Sequence, residues 1–285
     1  MRIDVHAYLA RLGLDREPTG VTALHRLHAA HVERVPYEAL EVQLGRVTTL
    51  EPADSLARIL RGRGGYCFHL NGAFSALLAE LGYQVTRHHG GVQANAGDTP
   101  GADLGHLALT VSGVPGDDGP GWLVDVGLGD GIHLPLPLRE GTYEQGPFTY
   151  RLGPSEVEPG GWRFDHDTTG SFVRMDFRPG TAAIPDFTTK HHELSTSPRS
   201  GFVRVSVLQR RDADGVDTLR ALTLGRTPGA KTVLERPADW EAAIRDVFGI
   251  PLTEFTPAER ERLFRQAAAQ HEAHLAKGSS VRPSA

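Results

Sequence analysis

Arg63-Gly64-Gly65-Tyr66-Cys67-Phe68-His69-Leu70-Asn71-Gly72 is the stretch from which the rest of the chain is best read. Its two leading glycines free the backbone for a tight turn. Phe68, Phe74, Leu77, Leu78 and Leu81 then recur at helical spacing up to the stop signal Gly82, which predicts a helix beginning near Cys67. A thiol at a helix start meets unpaired amides and the positive end of the macrodipole, and both favour an anion. Such surroundings, or a neighbouring imidazolium, turn a cysteine with an ordinary pKa of about 8.5 into a nucleophile. The alternative for a lone cysteine is burial as a small apolar filler. Cys67 is the one cysteine among 285 residues, so an intrachain disulfide and a thiolate-rich zinc site are both excluded.

Working outward, Ile3, Tyr8, Leu9 and Leu12 form one apolar face, and Leu24, Leu27, His28, His31, Val32 and Val35 form another that Pro36 closes. A further helix is expected from Pro52 to Leu60, so residues 1–83 read as a helical bundle carrying the thiol. From Tyr83 to about Val207 the period falls to two, in segments such as Leu107 to Val111, Trp122 to Val126 and Phe202 to Val207. Gly, Pro and Asp clusters separate them, which predicts an antiparallel sheet or barrel over 84–207. Helices return near the end, where Trp240, Ile244, Val247 and Phe248 share a face and Thr256-Pro257-Ala258-Glu259 has the order of a capping box. From Ala276 to Ala285 the apolar periodicity stops, and a disordered tail is expected.

The charge balance argues against a polyanion-binding surface. Thirty Lys and Arg stand against 35 Asp and Glu, for a net charge of −5, and no basic run reaches five residues. Nucleic acid is therefore not an expected partner. No apolar window approaches the roughly 18 residues of a membrane span, and Met1-Arg2-Ile3-Asp4-Val5-His6 lacks the core of a signal peptide, so a cytoplasmic location is expected.

A nucleophile needs a base. Of 14 histidines, His106 is distinguished by opening the apolar run His106-Leu107-Ala108-Leu109, where its ring can project from a strand end into a cleft, or simply cap the strand. Asp125 interrupts Trp122-Leu123-Val124-Asp125-Val126 just before Gly127-Leu128-Gly129-Asp130-Gly131. A carboxylate in a buried run demands a partner, and either an imidazolium or the glycine loop can supply it. Cys, His and Asp in this chain order repeat the nucleophile, base and orienter of papain-like sites. No metal is expected: the pairs His88-His89 and His191-His192, and His271 with His274, lack the ligand pattern of a catalytic zinc and read as surface or loop residues.

The Arg63–Gly72 segment, the strand His106 to Val111, and Val124-Asp125-Val126-Gly127-Leu128-Gly129-Asp130 together resemble the arylamine N-acetyltransferase family. Its pattern is R-G-G-x-C-F-E-x-N, then H-x-x-L, then V-D-V-G-F-G, and Val35-Pro36-Tyr37-Glu38-Ala39-Leu40 is similar to that family's P-F-E-N-[LI]. The resemblance covers about residues 1–140. It implies an α+β fold with a helical bundle over 1–83, a β-barrel over 84–207, and an α/β lid over 208–275 ahead of the tail at 276–285. It assigns Cys67 as acyl acceptor, His106 as base and Asp125 as orienter. The implied reaction is ping-pong: a thioester, usually acetyl-CoA, acylates the cysteine, and an arylamine, hydrazine or hydroxylamine takes the acyl group. Gly127 and Gly129 become candidates for approaching the pyrophosphate of CoA, or form an ordinary turn. Tyr37, Phe68, His69 and Leu128 become candidates for the substrate pocket, with His69 either facing the cleft or packing in its helix.

The chain departs from the pattern at His69, Ala39 and Leu128, and at His88-His89-Gly90-Gly91-Val92, where A-R-V is usual. Those changes suit a larger substrate, so a second reading is a chain-releasing amide synthase or Dieckmann cyclase acting on a polyketide or hybrid peptide thioester bound to an acyl carrier protein. A third is a binding protein on the same scaffold, for which Cys67 would be unreactive toward iodoacetamide.

Overall fold

The computed structural model describes residues 3–279. Helices α1 (Val5–Arg11), α2 (Val21–Arg34), α3 (Leu40–Gln43), α4 (Pro52–Leu60) and α5 (Cys67–Leu81) come first, with the two-residue strand β1 (Tyr37–Glu38) between α2 and α3. Asp4 caps α1 by accepting the Ala7 N–H at 2.9 Å, and Pro52 opens α4, where its missing N–H costs nothing. Helix α5 is buried nearly all round, so it forms the centre of the bundle: Leu70, Phe74, Leu77 and Leu78 share a core with Tyr8, Leu24, Leu56 and Ile59.

The middle of the chain forms an antiparallel eight-stranded sheet curled into a nearly closed barrel. Its strands are β2 (Gln84–Gln93), β3 (His106–Ser112), β4 (Trp122–Val124), β5 (Leu136–Pro137), β6 (Gly141–Gln145), β7 (Phe148–Pro154), β8 (Trp162–Asp165) and β9 (Arg174–Thr181). They run in the order β5-β4-β3-β2-β9-β8-β7-β6. Alternate residues from the strands, among them Ala108, Leu123, Tyr150, Phe164 and Met175, fill the interior. The expected strand through Val126 stops at Val124, because the next two amides leave the ladder: Asp125 N–H donates to His28 Nε2 and Val126 N–H to Asn71 Oδ1.

Beyond β9 two short helices intervene, α6 (Thr188–Thr196) and α7 (Gly201–Arg204). The strand expected from Phe202 is therefore a helical turn at first. Ser200 Oγ accepts the Phe202 N–H at 3.2 Å and starts that turn, and extended pairing begins only at Val207. Strands β10 (Val207–Asp212), β11 (Gly215–Arg220), β12 (Thr223–Thr227) and β13 (Lys231–Val233) then join β1 in a second antiparallel sheet, ordered β1-β10-β11-β12-β13. Helix α8 (Pro237–Ala242), the π-helical turn Ala243–Val247 that follows it and helix α9 (Pro257–Ser279) cover it, burying Trp240, Ile244, Phe248 and Leu263 against Leu208 and Leu219. The capping box forms at α9: Thr256 N–H donates to Glu259 Oε2 and Glu259 N–H to Thr256 Oγ1. Helix α9 runs on to Ser279, so residues 276–279 are helical where a disordered tail was expected. Residues 280–285 of the expected tail lie outside the described residues. Among the described residues no helix is long and apolar enough to cross a membrane.

Candidate active site

Three elements meet at the start of α5. The turn before it is held by a buried ion pair: Arg63 donates through Nε to Glu38 Oε1 at 3.1 Å and through Nη1 to Glu41 Oε1 at 2.9 Å. Cys67 is the first residue of the helix, so helical geometry leaves its amide and that of Phe68 outside the i→i−4 ladder. His106 is the first residue of β3, and Asp125 lies one residue past β4, the strand paired with β3. The two sequence-distant residues are thereby brought to the same end of the barrel, against the thiol.

His106 donates through Nε2 to Asp125 Oδ2 at 2.6 Å, which leaves Nδ1 as the nitrogen available to the sulfur. Cys67 Sγ lies 3.7 Å from the carbonyl of Gly105, the residue preceding His106. Burial opposes a charged imidazole, but the charge and hydrogen bond of Asp125, with a hydrogen bond and charge from Cys67, outweigh it and push the His106 pKa up to about 10. At neutral pH the His106 ring is therefore held protonated between Asp125 and the Cys67 sulfur. The three side chains sit out of bulk water, with Cys67 at 3 %, His106 at 2 % and Asp125 at 1 % exposure. Around them Tyr37, Gly105, Gly129 and Phe202 are partly exposed.

Two residues with no role expected from sequence complete this arrangement. Asn71 lies one helical turn beyond Cys67, on the same face. Its Nδ2 donates to Leu107 O and to Asp125 Oδ1, both at 2.7 Å, while its Oδ1 accepts Val126 N–H at 3.0 Å. It thus ties the nucleophile helix to the strand of His106 and the loop of Asp125. His28, fully buried on α2, accepts the Asp125 N–H through Nε2 at 3.2 Å. The readable signal for Asn71 was its i+4 spacing from Cys67, and for His28 a polar ring within an apolar stripe.

The other candidates fall out differently. For Tyr37, burial first, and then the charges of Cys67, Tyr66, Asp130 and Asp125, push the phenol well above its ordinary value. His69 does not face the cleft. Its Nδ1 accepts Tyr66 N–H at 3.3 Å and its Nε2 donates to Thr48 Oγ1 at 2.8 Å, so it caps the helix start as a glutamate would in a capping box. Phe68 turns into the helical core against Phe187, with ring centroids 5.1 Å apart, and Leu128 into the barrel core. Phe68 and Leu128 find their partners on the inner side of their elements. Gly127 presses on the nucleophile helix: a Cβ there would lie 2.7 Å from Cys67 Cα and 2.8 Å from Asn71 Nδ2. Gly129 takes φ +72° and leaves no room for a side chain beside Gln209 and Tyr37. His88 and His191 are buried rather than superficial, bonded to Thr110 Oγ1 and to Tyr66 Oη. Among the described residues no group of three or more His, Cys, Asp or Glu is placed to hold a metal ion.

Cys67, His106 and Asp125 thus come together at one helix start, where a bundle, a barrel and a second sheet are joined. Residues 20–256 match the N-acetyltransferase family profile. The arylamine N-acetyltransferase of Mycolicibacterium smegmatis is 36% identical over 218 residues, which cover 71% of this chain and 74% of that one. A proansamycin X synthase of Amycolatopsis mediterranei is 35% identical over 161 residues, 54% of this chain and 60% of that protein. The solved structure of the Mycobacterium marinum arylamine N-acetyltransferase in complex with CoA superposes with TM-score 0.81 at 28% identity, covering 93% of this chain and 98% of that one. The chain belongs to the arylamine N-acetyltransferase family, a family of acyltransferases.

Proposed function

We propose that Cys67 is the acyl carrier of a ping-pong transfer from a CoA thioester, acetyl-CoA in the first instance, to an arylamine-type acceptor. The observation that carries this reading is the chain of contacts from Asp125 through His106 to the Cys67 sulfur. In the first half-reaction the Cys67 sulfur attacks as the thiolate, the new C–S bond to the acyl carbon forms, the thioester bond to CoA breaks, and the thiol of CoA leaves with the proton held by His106. In the second, the acceptor nitrogen attacks the acyl-cysteine, the bond to Cys67 breaks, and the nitrogen's proton passes to His106. A weakly basic aromatic amine gains most from that base. The Cys67 amide, free of the helical ladder, supplies a donor for the oxyanion of each tetrahedral intermediate.

Tyr37 lines the acceptor side in this reading, and Gly127 to Gly129 form the floor past which the CoA thioester reaches the sulfur. CoA in the related Mycobacterium marinum structure supports the choice of donor. A cytoplasmic site of action goes with a CoA-dependent reaction and an unpaired thiol. The test is intact-mass measurement after mixing with acetyl-CoA: one acetyl group on Cys67, discharged on adding 4-hydrazinobenzoate, is the expected result.

The similarity to proansamycin X synthase favours a second reading, release of a chain from a carrier-protein thioester as an amide or a ring. It predicts no adduct from acetyl-CoA and an adduct from long cysteamine or carrier-bound thioesters.

A further inference from the structure

Asp125 is held by more than its carboxylate. Its backbone N–H, which would ordinarily continue the β4 ladder, points instead at the ring of His28, 97 residues earlier in the chain. That ring is fully buried in α2, packed edge-on against Phe74 of α5 with centroids 6.2 Å apart. Its Nδ1 lies 2.9 Å from the carbonyl of His133. A carbonyl can only accept and an N–H can only donate, so one tautomer serves both bonds: Nδ1 carries the proton and Nε2 presents its lone pair to Asp125.

We infer that His28 is a positioning residue for the catalytic carboxylate, clamping both ends of the loop from Asp125 to His133 so that Asp125 Oδ2 meets His106. Two features make the clamp specific. Its two bonds span the whole glycine loop, Asp125 at one end and His133 at the other. An apolar residue would fill the stripe of Leu24, Leu27 and Val32 equally well, yet would leave the buried Asp125 N–H without an acceptor. The charged and titratable groups facing the ring are Asp125 and His133 in the loop and His31 on its own helix; α5 presents only the Phe74 ring. Burial, opposed by the His133 carbonyl and the Asp125 charge, lowers the His28 pKa to about 4, so the clamp keeps its tautomer at neutral and alkaline pH.

This inference rests on the triad reading, and the test separates the two. Acylation of Cys67 by acetyl-CoA is followed by rapid-quench mass spectrometry from pH 6 to 10.5 in the wild type, His28→Gln and His28→Leu. A carboxamide offers one donor and one acceptor about as far apart as the ring nitrogens; leucine offers neither. The expected result for His28→Leu is acylation slowed by about 10- to 100-fold, as for a reacting group displaced by an ångström. Its alkaline limb, set by His106 near pH 10 in the wild type, should move toward the ordinary imidazole range. His28→Gln should recover the wild-type limb and a rate within about threefold of it, a smaller loss than any displacement would cause. Should His28→Leu not fold, His28→Asn, too short to span both partners, takes its place with the same expectation. A wild-type rate and limb in the leucine or asparagine variant, whatever its melting temperature, overturns the clamp and leaves the triad standing. No acylation in the wild type, with acetyl-CoA or longer thioesters, removes the triad reading itself.

Discussion

An imidazole that is charged when folded and ordinary when unfolded makes stability depend on pH. His106 has a raised folded-state pKa, to about 10 against 6.5, because Asp125 and Cys67 favour its proton more than burial opposes it. Its contribution is therefore complete below about pH 6.5 and is lost as pH rises through 10. The gap in melting temperature between the wild type and His106→Gln should be widest below pH 6.5 and narrow steadily toward pH 10. A gap that stayed constant or widened across that range would refute the imidazolium. At this scale much of the site was legible. Cys67, His106 and Asp125 each broke a local pattern: a thiol after a glycine turn, a histidine opening an apolar strand, an acid inside one. Asn71 and His28 were not assigned, because their bonds run largely to backbone groups whose position only the fold decides.

Between elements, the loop after β4 approaches the first turn of α5 closely. Gly127 is the point of contact, and Gly127→Ala would drive a methyl group into the Cys67 backbone and the Asn71 amide. Overpacking of that kind is expected to cost about 1–3 kcal/mol in urea denaturation. Because the atoms displaced are those of the nucleophile, turnover should fall more than tenfold, on the order of the penalty for ångström misplacement. An alanine variant with wild-type turnover would show that the loop does not set the thiol. Element boundaries were readable where a local signal governs them, as with Pro52 at the start of α4 and the capping box before α9. They were misread where aromatic and β-branched residues sit in a helix, as with Phe202 and Val203, because the Ser200 cap overrides intrinsic strand preference.

Across the molecule, the N- and C-terminal parts interlock. Tyr37 and Glu38 pair with Gln209 and Leu208, so the lid sheet takes an edge strand from the helical bundle. No periodicity announces a two-residue strand whose partner is some 170 residues away, which is why this join was invisible in the sequence. Arg63 fastens it. Its guanidinium bonds Glu38 of β1 and Glu41 of α3, and lies 4.5 Å from the centroid of the Phe255 ring between α8 and α9. Arg63→Met would strand Glu38, only 3 % exposed, without a cation. A loss of about 3–5 kcal/mol in chemical denaturation is expected, as for other buried ion pairs broken on one side. A loss below about 1 kcal/mol, the range of an exposed pair, would mean that water reaches the site and that the join is not dry.

All of these scales converge on the proposal of one sulfur made reactive through His106 by Asp125. The most direct measurement is the rate at which acetyl-CoA places a single acetyl group on Cys67, read by intact mass in the wild type and in Asp125→Asn. Asparagine preserves the shape of the site but holds the imidazole without charge, and the rate should fall by a factor on the order of 10³ to 10⁴. Equal rates in the two proteins, or an acetyl group found on a residue other than Cys67, would contradict the account.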